Sequence, residues 1–140
     1  MSKQLWQRGD KLKTVIKGPV TQVDLVRYAG ASGDFNPIHF DDVAAKQAGL
    51  DGVIAHGMLT MAYVGQLINE FASDNALLKE FSVRFRAMVK PGDTIICSGE
   101  VIRVEPLDSE DIQVTVSVLA ETDTSQTAIK GTAILLFYAK

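Results

Sequence analysis

An α+β fold, one long helix laid against a curved antiparallel sheet, is predicted by two features of the 140-residue sequence. From Gly57 to Phe71 the chain reads GMLTMAYVGQLINEF, and Met58, Leu59, Met61, Ala62, Tyr63, Val64, Leu67 and Ile68 cover most of a helical circumference. A helix apolar nearly all round belongs inside something. After Lys79 the period changes to two. Phe81, Val83, Phe85, Ala87 and Val89 alternate with Ser82, Arg84, Arg86, Met88 and Lys90, as in a strand with one buried face.

The remaining elements fall into place around these two. An early strand is expected at Leu12 to Lys17. Thr21-Gln22-Val23-Asp24 is a weak capping box, and Val23, Val26 and Ala29 give partial helical spacing behind it. That helix should stop at Gly30 or Gly33. Asp34 to Phe40 is broken by Asn36-Pro37, because the residue before proline is pushed toward extended geometry. Asp41 or Asp42 can cap a short helix over Val43 to Ala48, ended by Gly49. Gly65, inside the long helix, is expected to mark a point of close packing, since glycine there costs about 1 kcal/mol against alanine. Pro91-Gly92-Asp93 makes a turn. Further strands are expected over Thr94–Val104, Ile112–Ala120 and Thr127–Tyr138, about five in all. Strands joined by short turns are most simply antiparallel.

Composition narrows the class. An apolar share of 46% excludes disorder, and the length fits one domain over residues 1–140. A net charge of −3 leaves no footprint for nucleic acid. No apolar run approaches the roughly 20 residues that cross a bilayer, so no membrane partner is expected. Met1 to Asp10 has no apolar core, so no secretory signal is expected either. The single cysteine, Cys97, cannot form an internal disulfide, which fits a reducing cytoplasm. It alternates into a strand and reads as a buried structural thiol. His39 and His56 with one cysteine are too few for a zinc set, so no metal is expected.

Both histidines lie in polar or glycine-bearing segments: Gly33-Asp34-Phe35-Asn36-Pro37-Ile38-His39 and Ala55-His56-Gly57-Met58. By residue type alone, Asp34, Asn36 and Pro37 are ordinary turn formers. Together with Tyr28-Ala29-Gly30-Ala31-Ser32, however, the two segments resemble the hydratase motif of the MaoC-like family. That family contains (R)-specific enoyl-CoA hydratases and 3-hydroxyacyl carrier-protein dehydratases. The similarity continues through Arg84-Phe85 and Pro91-Gly92-Asp93 and so covers most of the chain. The fold it implies is the hot-dog, a long helix wrapped by an antiparallel sheet and usually dimeric, in agreement with the pattern-based reading.

The resemblance places an acid/base dyad on Asp34 and His39. Hydrating an α,β-unsaturated thioester requires a hydroxyl on the β-carbon and a proton on the α-carbon. A carboxylate near pKa 4 and an imidazole near 6.5 bracket those tasks, and one water can serve both. Which of the two takes the first proton stays open, because a coupled pair titrates as a unit. Pro37 and Asn36 are expected to shape the loop that aims them. The resemblance also implies an oxyanion donor on the backbone of Gly57, where a helix start suits the developing enolate. His56 is read as a packing or capping residue rather than a proton carrier. Some relatives carry a serine on the buried helix that holds the catalytic acid. Gly65 stands at the matching place here, which leaves Thr60 or water to orient Asp34.

Met58, Met61, Phe85 and Met88 are candidates for an acyl tunnel, although residues of this kind are more often plain core than tunnel wall, and Met88 falls on the polar alternation. Arg84, Arg86 and Lys90 share one predicted strand face. They could meet the phosphates of coenzyme A or a carrier arm, or form a solvated surface. The activity implied is reversible hydration of trans-2-enoyl thioesters to (R)-3-hydroxyacyl thioesters, on CoA, of short to medium chain, without cofactor, by a homodimer or higher homo-oligomer. The alternatives are a 3-hydroxyacyl carrier-protein dehydratase, a hot-dog thioesterase using an acid such as Glu70, and a non-catalytic partner subunit.

Overall fold

The computed structural model describes residues 6–139. Five strands, β1 (Val15–Lys17), β2 (Ala76–Phe85), β3 (Ile95–Pro106), β4 (Ile112–Thr122) and β5 (Thr127–Phe137), form one antiparallel sheet in the order β1-β3-β4-β5-β2. Three helices, α1 (Gln22–Ser32), α2 (Asp42–Gln47) and α3 (Gly57–Ala72), precede the long strands. The last of these, α3, lies across all five strands. The hot-dog arrangement expected from the sequence is the one observed.

Local chemistry explains the boundaries. Thr21 Oγ1 accepts from the Asp24 N–H at 3.1 Å and Asp24 Oδ2 accepts from the Thr21 N–H at 2.9 Å, a reciprocal cap that starts α1. Gly33 ends α1 with φ +77°, in the left-handed region that glycine enters without a Cβ clash. Asp41 caps α2 through the N–H groups of Val43 and Ala44.

The core forms where the inner face of the sheet meets one side of α3. On β4 every second residue, Val114, Val116, Val118 and Ala120, is fully buried. They meet Leu59, Val64, Leu67, Ile68 and Ala72 of α3 in one cluster. Fully burying each of the larger side chains contributes about 1.5–3 kcal/mol. On β5, Gly131 is required by close approach, since a β-carbon there would run into the carbonyl oxygen of Ser82 on β2.

Two expectations need correction. First, α3 is not enclosed all round: Met58 is 55% exposed and Ala62 is also open, because one sheet covers one side of a helix. Gly65 lies toward that open side, and a β-carbon on it would meet nothing within 4 Å, so close packing within the chain is not its reason. Second, the alternation from Phe81 to Val89 is not one strand. The regular ladder with β5 ends at Phe85. Arg86 and Ala87 still donate to the carbonyls of Ala128 and Thr127, but the Val89 carbonyl accepts from the Ala55 N–H at 2.8 Å. The chain here bridges from the sheet to the loop that leads into α3.

Candidate active site

The loop between α1 and α2 is built from side chains that substitute for backbone partners. Ser32 Oγ accepts from the Asp34 N–H (3.1 Å), Asp34 Oδ1 from the Asn36 N–H (3.1 Å), and Asn36 Oδ1 from the Ile38 N–H (3.3 Å). Short polar side chains that bond two residues ahead favour such turns over helix. Pro37 then opens a single 3₁₀ turn, Pro37–His39, whose fixed φ suits a first helical position. One Asp34 oxygen is thus held by the Asn36 N–H, and the other is free for chemistry. This backbone bond holds the orientation of the carboxylate.

Asp34 Oδ2 lies 3.8 Å from His39 Nε2. The imidazole is buried while the carboxylate is about half exposed. His39 Nδ1 donates to the Ile54 carbonyl at 2.8 Å, so the neutral ring carries its proton on Nδ1 and presents the Nε2 lone pair to Asp34. A separation of 3.8 Å is within the reach of one water hydrogen-bonded to both groups.

His39 and Gly57 line one cavity of about 160 Å³, along with Thr60, Phe85, Arg86 and Met88, whose wall is otherwise apolar. Gly57 is the first residue of α3, and His56 before it makes no side-chain cap. The Leu59 N–H turns back to the His56 carbonyl, which leaves the Gly57 end of α3, with the positive end of the helix dipole, bordering the cavity. His56 is buried, stacked on His39 with ring centroids 3.7 Å apart. It packs, as expected, but it caps nothing. Its Nε2 donates instead to the Asp34 backbone carbonyl at 3.1 Å.

Of the tunnel candidates, Phe85 and Met88 line this cavity, whereas Met58 and Met61 do not. Met58 lies on the open side of α3, while Met61, one turn on from Gly57, is half-buried and packs against the core beside the cavity wall rather than in it. Met88 reaches the cavity because the strand has ended before it. The basic trio is also divided. Arg86 lines the cavity, Arg84 sits opposite Lys130 in the β2–β5 ladder, and Lys90 pairs with Asp51 at 3.4 Å. Glu70 is exposed on the last turns of α3 and is not part of the cavity wall. The Ile54 carbonyl, which fixes the His39 tautomer, had no signal in the sequence because it is main chain. Thr60 as a cavity-lining hydroxyl was legible from its i+3 spacing to Gly57.

Asp34, His39 and His56 have potential ligand atoms within 4.8 Å of one another. Two of the four imidazole nitrogens already donate to carbonyls, and His56 Nδ1 is sealed from solvent. Such a set offers a metal fewer free ligands than the three or four of zinc sites. Cys97 is fully buried in β3, away from the cavity, and burial pushes its thiol up to about 11. Among the described residues no helix is long and apolar enough to cross a membrane.

The family model described as MaoC like domain matches residues 5–124. A mitochondrial 3-hydroxyacyl-[acyl-carrier-protein] dehydratase from Arabidopsis thaliana is 33% identical over 95 residues, which cover 68% of this chain and 55% of that protein. The fatty acid synthase β subunit TOXC of Cochliobolus carbonum is 39% identical over 70 residues, covering 49% of this chain and 3% of that much longer protein. The chain therefore spans about half, or only a few per cent, of the curated relatives it matches. Among solved structures, the R-hydratase PhaJ1 from Pseudomonas aeruginosa superposes with a TM-score of 0.83 at 25% identity, covering 96% of this chain and 84% of that one.

Proposed function

The chain belongs to the MaoC-like domain family, and from that premise we propose that it reversibly hydrates trans-2-enoyl thioesters to (R)-3-hydroxyacyl thioesters. The observation that carries this reading is the pairing of Asp34, which stands outside the cavity wall, with His39, which is part of that wall together with Gly57. The Asp34 carboxylate stands 3.8 Å from the free nitrogen of His39, and His39 shares its cavity with the N-terminus of α3 at Gly57. In hydration the water oxygen bonds to the β-carbon and gives up a proton to the dyad. Charge moves onto the thioester oxygen as an enolate, which the Gly57 N–H stabilises. The dyad returns a proton to the α-carbon, and no net charge is left.

We take CoA as the carrier, with the exposed Arg86 guanidinium at the cavity positioned to meet phosphate. The small cavity supports short to medium acyl chains. The reaction needs neither metal nor redox cofactor, since proton transfer and one oxyanion site suffice. A reducing cytoplasm is the compartment that suits the lone thiol. A homodimer is the form we expect, since β2 lies at a sheet edge with Leu77 and Leu78 exposed.

The second reading is a dehydratase acting on carrier-protein thioesters. The Arabidopsis relative favours it, being named for that reaction. The thioesterase reading loses its acid, because Glu70 is exposed on the last turns of α3, with neither of the two histidines nor the cavity beside it.

The test is a hydration assay across enoyl-CoA chain lengths, with crotonyl groups offered on CoA and on a carrier protein, followed by chiral analysis of the product. Loss of the enoyl absorbance without thiol release, giving the (R)-alcohol, is the expected result. Asp34→Asn and His39→Gln should each lower kcat by about 10²–10⁴ with unchanged melting temperature and unchanged response to EDTA. Thiol release from saturated acyl-CoA, or a variant with near-native rate, would overturn the assignment.

A further inference from the structure

The chemistry above leaves one buried polar side chain unused. His56 is 2% exposed and does not line the cavity. Its Nε2 meets a carbonyl, which can only accept, so the ring carries its proton there. Its Nδ1 is buried with no hydrogen-bond partner. A stranded polar atom costs free energy that a purely apolar ring would not. Packing alone therefore does not account for a histidine at this place.

A histidine contributes here what no apolar side chain can. Its N–H holds the main chain of Asp34 at 3.1 Å, while its flat face lies on the His39 ring with a 23° angle between planes. Tyr28 closes edge-on against it at 4.8 Å. One side chain thus touches both members of the dyad, the acid through its backbone and the imidazole through its face.

We infer that His56 is the positioning residue of the dyad, setting the separation of the Asp34 carboxylate and His39 Nε2 without meeting substrate. The inference rests on the hydratase reading of Asp34 and His39. A misplacement of reacting groups by about 1 Å costs on the order of 10²-fold in rate.

The test compares three full-length variants. His56→Gln keeps an N–H donor and loses the ring. His56→Phe keeps the flat ring and loses the donor. His56→Ala loses both. The Phe variant should lose on the order of 10²-fold in kcat with KM within about threefold of the parent, and the Gln variant should recover a large part of that loss. In an Asp34→Asn background His56→Phe should change the residual rate by less than twofold, because the arrangement it maintains no longer functions. Amide hydrogen exchange at Asn36 and Ile38 should quicken in the Phe and Ala variants and less so in Gln.

Equal rates and equal exchange for Gln and Phe, or a loss confined to KM, would overturn the inference. If the Phe variant does not fold, Gln against Ala makes the same comparison. Should the parent hydrate no enoyl thioester, the functional reading fails on its own, and the exchange measurement still decides whether His56 holds the loop.

Discussion

A β-carbon on Gly57 would stand 2.9 Å from Cε1 and 3.0 Å from Cδ1 of the Phe85 ring. The first residue of α3 and the last residue of β2 therefore meet face to face at the cavity, and the absence of a side chain on one makes room for the ring of the other. Phe85 is 52% exposed, so its ring can swing aside, and alanine is a good helix former. Gly57→Ala should accordingly fold normally, with a melting temperature within a few degrees of the parent. The displaced ring and the new methyl group crowd the place where a thioester oxygen would approach the N–H. A loss of kcat/KM of about tenfold or more is expected, and Phe85→Leu in the same protein should restore part of it. Undiminished steady-state rates for Gly57→Ala would remove Gly57 from the oxyanion site.

The pH dependence of stability has a source far from the cavity. Cys97 lies in β3 opposite Val15 and Ala120 with no solvent exposure. Burial raises its thiol from 9.0 to about 11, with Lys17 pulling weakly the other way. Tyr63 is raised too, chiefly by burial. A thiol with a raised pKa keeps its proton in the folded chain at a pH where the unfolded chain has released it. Its contribution is full below pH 9 and fades as pH climbs through 9 to 11, by up to about 1.4 kcal/mol per pH unit. Urea unfolding at pH 8 and pH 10.5 should show this decline, and in Cys97→Ala the decline should be smaller by about 1 kcal/mol or more. An identical decline in both proteins would assign the effect elsewhere.

How much of this was legible in sequence depends on whether the controlling partner is a side chain or main chain. The cap on α1 was readable because Thr21 and Asp24 act through their own side chains at fixed spacing. The β4 alternation was readable because each valine's environment follows from the pleat. The end of β2 was not, since Phe85, Ala87 and Val89 keep the period of two past the strand's end, while the Val89 carbonyl meets the Ala55 N–H rather than a strand partner. Past the end of β2, Met88 and Arg86 line the cavity and Lys90 pairs with Asp51 instead. Asp34 and His39 were visible as residue types, and the resemblance supplied their pairing. What aims them, the Asn36 N–H and the Ile54 carbonyl, carries no residue signature. The role of Gly65 was misjudged for a related reason. A glycine in a helix signals close packing only where something stands opposite, and the facing space is set by tertiary structure.

The free edge of β2 leads to the last expectation. Among the described residues this strand pairs only with β5, and Leu77 and Leu78 are 53% and 38% exposed upon it. An edge strand with apolar side chains and open N–H and C=O groups recruits a second strand, and a two-fold axis beside β2 would let two copies pair antiparallel through the same residues. Light scattering should therefore give a mass near twice the 15.2 kDa of one chain. Lysine at both positions, Leu77→Lys with Leu78→Lys, adds charge where the copies would meet, at sites that a single chain leaves in solvent. The double variant should run as a monomer, melt at a lower and concentration-independent temperature, and keep the far-ultraviolet spectrum of the parent. A parent that is monomeric at micromolar concentration, or a double variant that still dimerises, would show that β2 is not the contact.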